Sequence, residues 1–205
     1  MQAKLWRCRI CAETYIGYER PTNCPFCGAH QEYMIPAREW KFADDIQLSG
    51  KSRKNMEEAL KIEISNATFY LCVSKSSKDP FIQGMFKALF KVETEHAHLH
   101  ARILKAPKPV INLDPGICSS MDKDSVKESL QRETDAVAHY GKFLGEAKEP
   151  RLKEIFKALV EIEGDHIQLD REVLESLKEG GFGWKASDDA FGLQFRLHSK
   201  SMEGK

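Results

Sequence analysis

"KALFKVETEHAHLH", residues 87–100, and "KALVEIEGDHIQLD", residues 157–170, decide how this chain folds. Each carries Glu-x-x-His after the same Lys-Ala-Leu, among apolar residues at helical spacing. Residues three or four apart share a helix face, so Glu93 with His96 and Glu163 with His166 occupy the stripe where leucine would ordinarily meet a core. One such pair is commonly a solvated surface pair. Two in register ask for a reason that surface chemistry does not supply.

Working outward, a shift of 70 positions superimposes the first half of the helical region on the second. Leu60, Glu63, Tyr70, Lys78, Pro80, Phe86, Lys87, Ala88, Leu89, Glu93, His96, Leu99 and Leu104 all recur as the same residue. The pattern is that of a duplicated helical hairpin. Each half breaks in its middle, at "SKSSKDP" (74–80) and "GEAKEP" (145–150), with Pro80 and Pro150 suited to the first turn of the next helix and Asp79 or Glu149 at its entrance. "KAPKPVINLDPGICSSMDKD", residues 105–124, joins the hairpins. Its length suits a crossover along a bundle, and Ser125 with Glu128 predicts a capping-box start for the third helix. The expected fold is mainly α: a ferritin-like four-helix bundle over 52–178, after a small metal-binding domain at 1–37 and a linker at 38–51. Residues 179–205 form a C-terminal extension in which Phe182, Trp184, Phe191 and Phe195 suggest docking on the bundle or on a second subunit.

Glu63 and Glu133 hold equivalent places on the first and third helices. The set of four carboxylates and two imidazoles matches ferritin-like di-metal carboxylate proteins, in which two helices give one Glu each and two give Glu-x-x-His. Four ionised carboxylates in a core would repel one another and lose hydration, whereas two divalent cations compensate them. Mixed oxygen and nitrogen donors suit iron or manganese. Tyr70 and Tyr140, two turns beyond Glu63 and Glu133, are candidates to donate to those carboxylates, to act as radical traps, or simply to fill the core. His98, His100 and His139 have no histidine counterparts and read as surface residues or as support behind the ligands.

Cys8-x-x-Cys11 and Cys24-x-x-Cys27 fit two loops converging on one tetrahedral metal. Spacing alone favours a structural zinc ribbon. A neighbouring redox-active metal pair favours iron, because iron in four thiolates carries one electron and zinc carries none. Cys72 and Cys118, isolated in sequence, are expected to be an ordinary buried thiol and an ordinary loop thiol. With 31 basic and 31 acidic residues there is no electrostatic footprint for nucleic acid or an anionic membrane. No apolar run is long enough to span a bilayer, and the start lacks the apolar region of a signal peptide, so a cytoplasmic location is expected.

"WRCRIC" (6–11), "CPFCGAH" (24–30) and the aromatic spacing resemble the rubredoxin-type module of rubrerythrins, and the duplicated Glu…Glu-x-x-His bundle resembles their di-iron domain. The module stands first, as in reverse rubrerythrins. The resemblance implies a peroxidase of oxidative-stress defence that reduces hydrogen peroxide to water. Its di-iron ligands would be Glu63, Glu93, His96, Glu133, Glu163 and His166, and Cys8, Cys11, Cys24 and Cys27 would hold a single iron. It also implies a rubredoxin or NAD(P)H-dependent reductase as donor, and a homodimer or higher oligomer with electrons passing between head-to-tail subunits. One departure is visible: typical members carry another glutamate three residues after the third-helix ligand, where this chain has Ala136. A ferroxidase or oxygen-reducing enzyme is the redox alternative, and a zinc ribbon on a helical interaction module the non-enzymatic one.

Overall fold

A computed structural model describes residues 2–41 and 45–178. Strands β1 (Lys4–Cys8), β2 (Thr14–Gly17) and β3 (Met34–Pro36) form an antiparallel sheet in the order β2-β1-β3. Helices α1 (Gly50–Ser76), α2 (Pro80–Leu104), α3 (Asp122–Glu146) and α4 (Pro150–Lys178) form a four-helix bundle of ferritin-like connectivity. α1 packs mainly on α2 and α3 on α4, and α1 also meets α3.

The helix starts follow local chemistry. The Ser49 hydroxyl accepts from the Ser52 amide to open α1, and the Asp79 carboxylate accepts from the amides of Phe81 and Ile82 ahead of Pro80. Glu149, ahead of Pro150, turns its carboxylate to α1 instead, accepting from the Ser49 amide and the Ser52 hydroxyl, both at 2.6 Å. The capping box expected at Ser125 does not form. The N-cap of α3 is Met121, four residues earlier, and Ser125 is buried near the start of the helix with its hydroxyl donating to the Ser119 carbonyl at 3.3 Å. Asp122 and Asp124 place negative charge in the first turn, which the helix dipole favours without a cap.

Two thiols also depart from expectation. Cys72 and Cys118 are bonded to each other, with Cα atoms 6.0 Å apart, tying the crossover to α1. Nothing in their separation of 46 residues foretells this, because the crossover must first run the length of the bundle to bring Cys118 over the last turns of α1. The tail aromatics Phe182, Trp184, Phe191 and Phe195 lie outside the described residues. Among the described residues no helix is long and apolar enough to cross a membrane.

The core falls into two parts. Phe69, Tyr70, Phe86, Val126 and Val173 fill one end of the bundle. Tyr140, Phe143, Phe156 and Leu159 fill the other, and that cluster continues without a break into Ile10, Met34 and the four cysteines of the module. The module therefore sits on its own bundle, against α2 and α4.

Candidate metal centres

Two knuckles bring the four cysteines together. Ala12 and Gly28, each following the second cysteine of its pair, take left-handed conformations with φ of 69° and 77°. The turns are closed by Ala12 and Gly28 amides donating to the Cys8 and Cys24 carbonyls at 3.0 and 2.9 Å. Gly28 is required twice over: its φ is unfavourable for a side chain, and an added Cβ would stand 3.1 Å from Ile162 on α4. Cys8 and Cys27 sulfurs are 3.7 Å apart, as are those of Cys11 and Cys24, and all four residues are buried. Hydrogen bonds from Cys11, Cys27 and Cys8 hold the Cys24 thiol far below its ordinary pKa, while those to Cys24, Cys27 and Cys8 push Cys11 far above its own. Four sulfurs sharing protons in this way form a thiolate trap that one tetrahedral cation satisfies.

In the bundle, the ligand face of α2 is also its core face: Leu89, Glu93, His96, Leu99 and His100 are buried at three- and four-residue intervals. Glu63 (α1), Glu93 and His96 (α2), Glu133 (α3), and Glu163 and His166 (α4) converge in two overlapping groups. His96 Nδ1 lies 3.1 Å from Glu93, 3.3 Å from Glu163 and 3.8 Å from Glu63. His166 Nδ1 lies 2.9 Å from Glu163, 3.3 Å from Glu93 and 3.4 Å from Glu133. Glu93 and Glu163 thus belong to both groups and are placed to bridge two cations, whereas Glu63 and Glu133 each serve one. The repeat separates the lone Glu63 and Glu133 from the His-paired Glu93 and Glu163, but not which pair lies between the two histidines.

Several atoms here have no hydrogen-bond partner: Glu63 Oε2, Glu93 Oε1, Glu133 Oε2, both oxygens of Glu163 and His166 Nδ1. Buried polar atoms are normally satisfied, and these are all metal donors aimed into one space, so the residues fit a pair of cations. Protonation tells the same story. Burial, then the Glu93 charge, raises Glu63 well above the usual carboxylate range, and burial raises Glu133 to about 8. Burial opposes ionisation of Glu93 as well, yet His96, Glu63 and His166 hold it well below. Both histidines lie well above their ordinary value despite burial, through Glu93 and Glu163 at His96 and Glu133 at His166. Without metal the cluster holds protons where cations would otherwise sit.

The surroundings break the twofold pattern. Tyr70 on α1 donates to Glu133 on α3 at 2.5 Å, and Tyr140 on α3 donates to Glu63 on α1, so each tyrosine serves the other half's glutamate. Behind Tyr140 stands His100, fully buried, its Nε2 donating to the phenol oxygen at 3.0 Å and its Nδ1 2.9 Å from the Met56 sulfur. Burial, then the nearby His96, lowers its pKa to about 3, so it is a neutral support. The equivalent residue in the other half is Asp170, fully buried with both oxygens unpartnered and raised to about 7 by burial. Ser129, whose hydroxyl donates to Tyr70 at 3.4 Å, and His166 lower it in part. In the sequence Asp170 carries one signal only, an aspartate on the ligand stripe one turn past His166. His98 and His139 stay at the periphery, beside Glu95 and Glu58. Ala136 is buried at the α1–α3 seam, beside a cleft of about 300 Å³ that Asn66, Arg132, Asp135 and His139 also line.

The two centres touch. His96 Nε2 donates to the Cys27 carbonyl at 2.9 Å, which leaves Nδ1 facing the carboxylates. The docking is held by Arg9 with Glu154, by Arg102 donating to the Cys11 carbonyl at 3.0 Å, and by His30 with Asp165 at 2.8 Å.

Comparison with known proteins accords with this geometry. Residues 6–34 match the family described as rubrerythrin, rubredoxin-like domain, and residues 54–116 match the rubrerythrin family. Reverse rubrerythrin-1 of Clostridium acetobutylicum is 24% identical over 112 residues, which cover 49% of this chain and 62% of that protein. No solved structure matches the chain.

Proposed function

We propose that this chain, in which a match to the rubredoxin-like domain at residues 6–34 precedes a match to the rubrerythrin family at residues 54–116, is a peroxidase reducing hydrogen peroxide to two waters with two electrons and two protons. The observation that carries the reading is the hydrogen bond from His96 to Cys27, which connects a sulfur site to a carboxylate site through one imidazole. Iron bound at the six carboxylate and histidine residues would supply the electrons that break the O–O bond, and iron at the cysteines would replenish them one at a time.

The protein's own groups prepare both ends. The Cys27 carbonyl keeps a proton on His96 Nε2, so Nδ1 remains a donor to metal, and it holds the ring against rotation. Tyr70 and Tyr140 are pushed well above the ordinary phenol range, first by burial and then by Glu133 and Glu63, so they stay protonated and keep donating to those carboxylates. His96 is sealed, whereas the His166 side chain is 11% exposed, and on this reading that small difference makes the His166 side the entry for small oxidants. We place the electron path within one chain, in place of the delivery between subunits that the resemblance implied. The proposal extends to a cytoplasmic homodimer served by a rubredoxin or an NAD(P)H-dependent reductase.

The decisive experiment mixes fully reduced protein anaerobically with peroxide and, separately, with oxygen. Oxidation by peroxide about a hundredfold faster than by oxygen supports the reading. Faster reaction with oxygen would establish the oxygen-reducing alternative, which Ala136 favours by removing a carboxylate typical of the family's peroxide chemistry.

A further inference from the structure

Outside both metal centres, a cleft of about 600 Å³ opens on the seam between the module and the start of α4. Small-molecule sites run about 300–1,000 Å³, so this one has room for a mononucleotide. Leu144 and Pro150 give it apolar walls, and Tyr33, largely buried beneath them, is fixed by its hydroxyl donating to Glu161 at 3.0 Å. Its charge is one-sided: Arg9, Arg151, Lys153 and Lys157 line it against the single carboxylate of Glu154. Arg9 and Arg151 both pair with Glu154, and Lys157 lies 3.5 Å from Glu161 outside the lining. Lys153 makes no ion pair among the described residues.

The floor of the cleft matters most. Arg151 donates to the carbonyls of Arg9 and Ile10, which are the two residues between Cys8 and Cys11. A molecule seated here lies against the backbone of the sulfur site. Guanidinium and ammonium groups together suit a phosphate, and the apolar walls suit an aromatic ring. A ring placed beside a one-electron site must release electrons singly, which a flavin does and a nicotinamide, a hydride donor, does not.

We propose that this cleft binds a phosphate-bearing flavin of the flavin mononucleotide class, its ring on the Leu144 and Pro150 wall and its phosphate at Lys153 and Lys157. The choice of a flavin rests on reading the cysteine site as an electron carrier; the preference for a ring with a phosphate rests on the cleft alone.

Flavin fluorescence tests it on the full-length protein, with flavin mononucleotide, riboflavin and inorganic phosphate as probes at low salt. Flavin mononucleotide should bind about tenfold more tightly than riboflavin, and phosphate should compete with it. Lys153→Glu with Lys157→Glu should weaken flavin mononucleotide by about tenfold or more and leave riboflavin within about twofold. Lys153→Ala, which has no ion pair to lose, should weaken it about threefold and provides the test if the double variant misfolds. Equal affinity for the two flavins, or unchanged affinity in the lysine variants, overturns the site. Repeating the titration with zinc in the cysteine site separates this inference from the peroxidase reading, because binding should persist there whatever oxidant the bundle consumes.

Discussion

His96 and His166 hold equivalent places in a duplicated bundle, yet one is sealed beneath the Cys27 carbonyl and the other, though buried, keeps its side chain 11% exposed. Behind them, the equivalent positions carry a neutral histidine that supports Tyr140 and an unpartnered aspartate near Ser129. Duplication made two similar half-sites, and a module docked across both, with the Cys27 carbonyl on His96 alone, made the halves unlike. On the proposed reading, electrons arrive on the His96 side and the oxidant on the slightly exposed His166 side. Five measurements would break or sharpen that contrast.

Replacing Cys8 and Cys24 by Ser disables the sulfur site whose Cys27 carbonyl meets His96 and not His166. Donor-dependent peroxide turnover should fall about a hundredfold or more, while prereduced protein still reacts once, as stopped-flow absorbance would show. Unchanged turnover would end the claim that the sealed half is the electron side.

Metal binding must displace protons from the cluster, Glu133 among them at about 8. Anaerobic ferrous titrations should therefore show protons released, and affinity rising about tenfold per pH unit for each proton displaced between pH 6 and 8. Affinity independent of pH would mean that the carboxylates are ionised without metal.

Asp170→Asn probes the His166 half. The native carboxyl, at about 7, lies above its ordinary 3.8, so wild-type stability is lost as pH rises from about 4 through 7. In metal-stripped protein the variant should match wild type near pH 4 and gain about 2 to 4 kcal/mol above pH 7, less whatever the unpaired amide costs, as read by urea unfolding. A variant whose advantage over wild type is no larger at pH 8 than at pH 4 would show that Asp170 is ionised at little cost.

Gly28→Ala attacks the seal. A side chain at φ of 77° and 3.1 Å from Ile162 should cost about 1 to 2 kcal/mol and loosen the contact of Cys27 with His96. Thermal unfolding and faster hydrogen exchange at His96 would report it.

The smallest expected effect is no movement. Since Ala136 offers no carboxylate to exchange and Cys27 restrains the ring, His96 should keep its metal in both oxidation states. Oxidised and reduced crystal structures should place it within about 1 Å of the same position, whereas a swing toward or away from the metal would show that another residue substitutes.

Much of the site was legible because it depends on short-range geometry. The i,i+3 spacing of Glu93 with His96 and of Glu163 with His166 puts each pair on one helix face, the 70-residue shift aligns Glu63 with Glu133, and the two Cys-x-x-Cys pairs form local turns. Such periods survive in one dimension because they are made within one helix or one loop. Tertiary structure alone decided that Glu93 and Glu163 lie between both histidines, that each tyrosine reaches across to the other half's glutamate, and that Cys72 meets Cys118. It also placed the Cys27 carbonyl on His96 and left Asp170 buried without a partner. These are contacts between elements far apart in the chain. They depend on how helices cross and where the module docks, which no local period encodes.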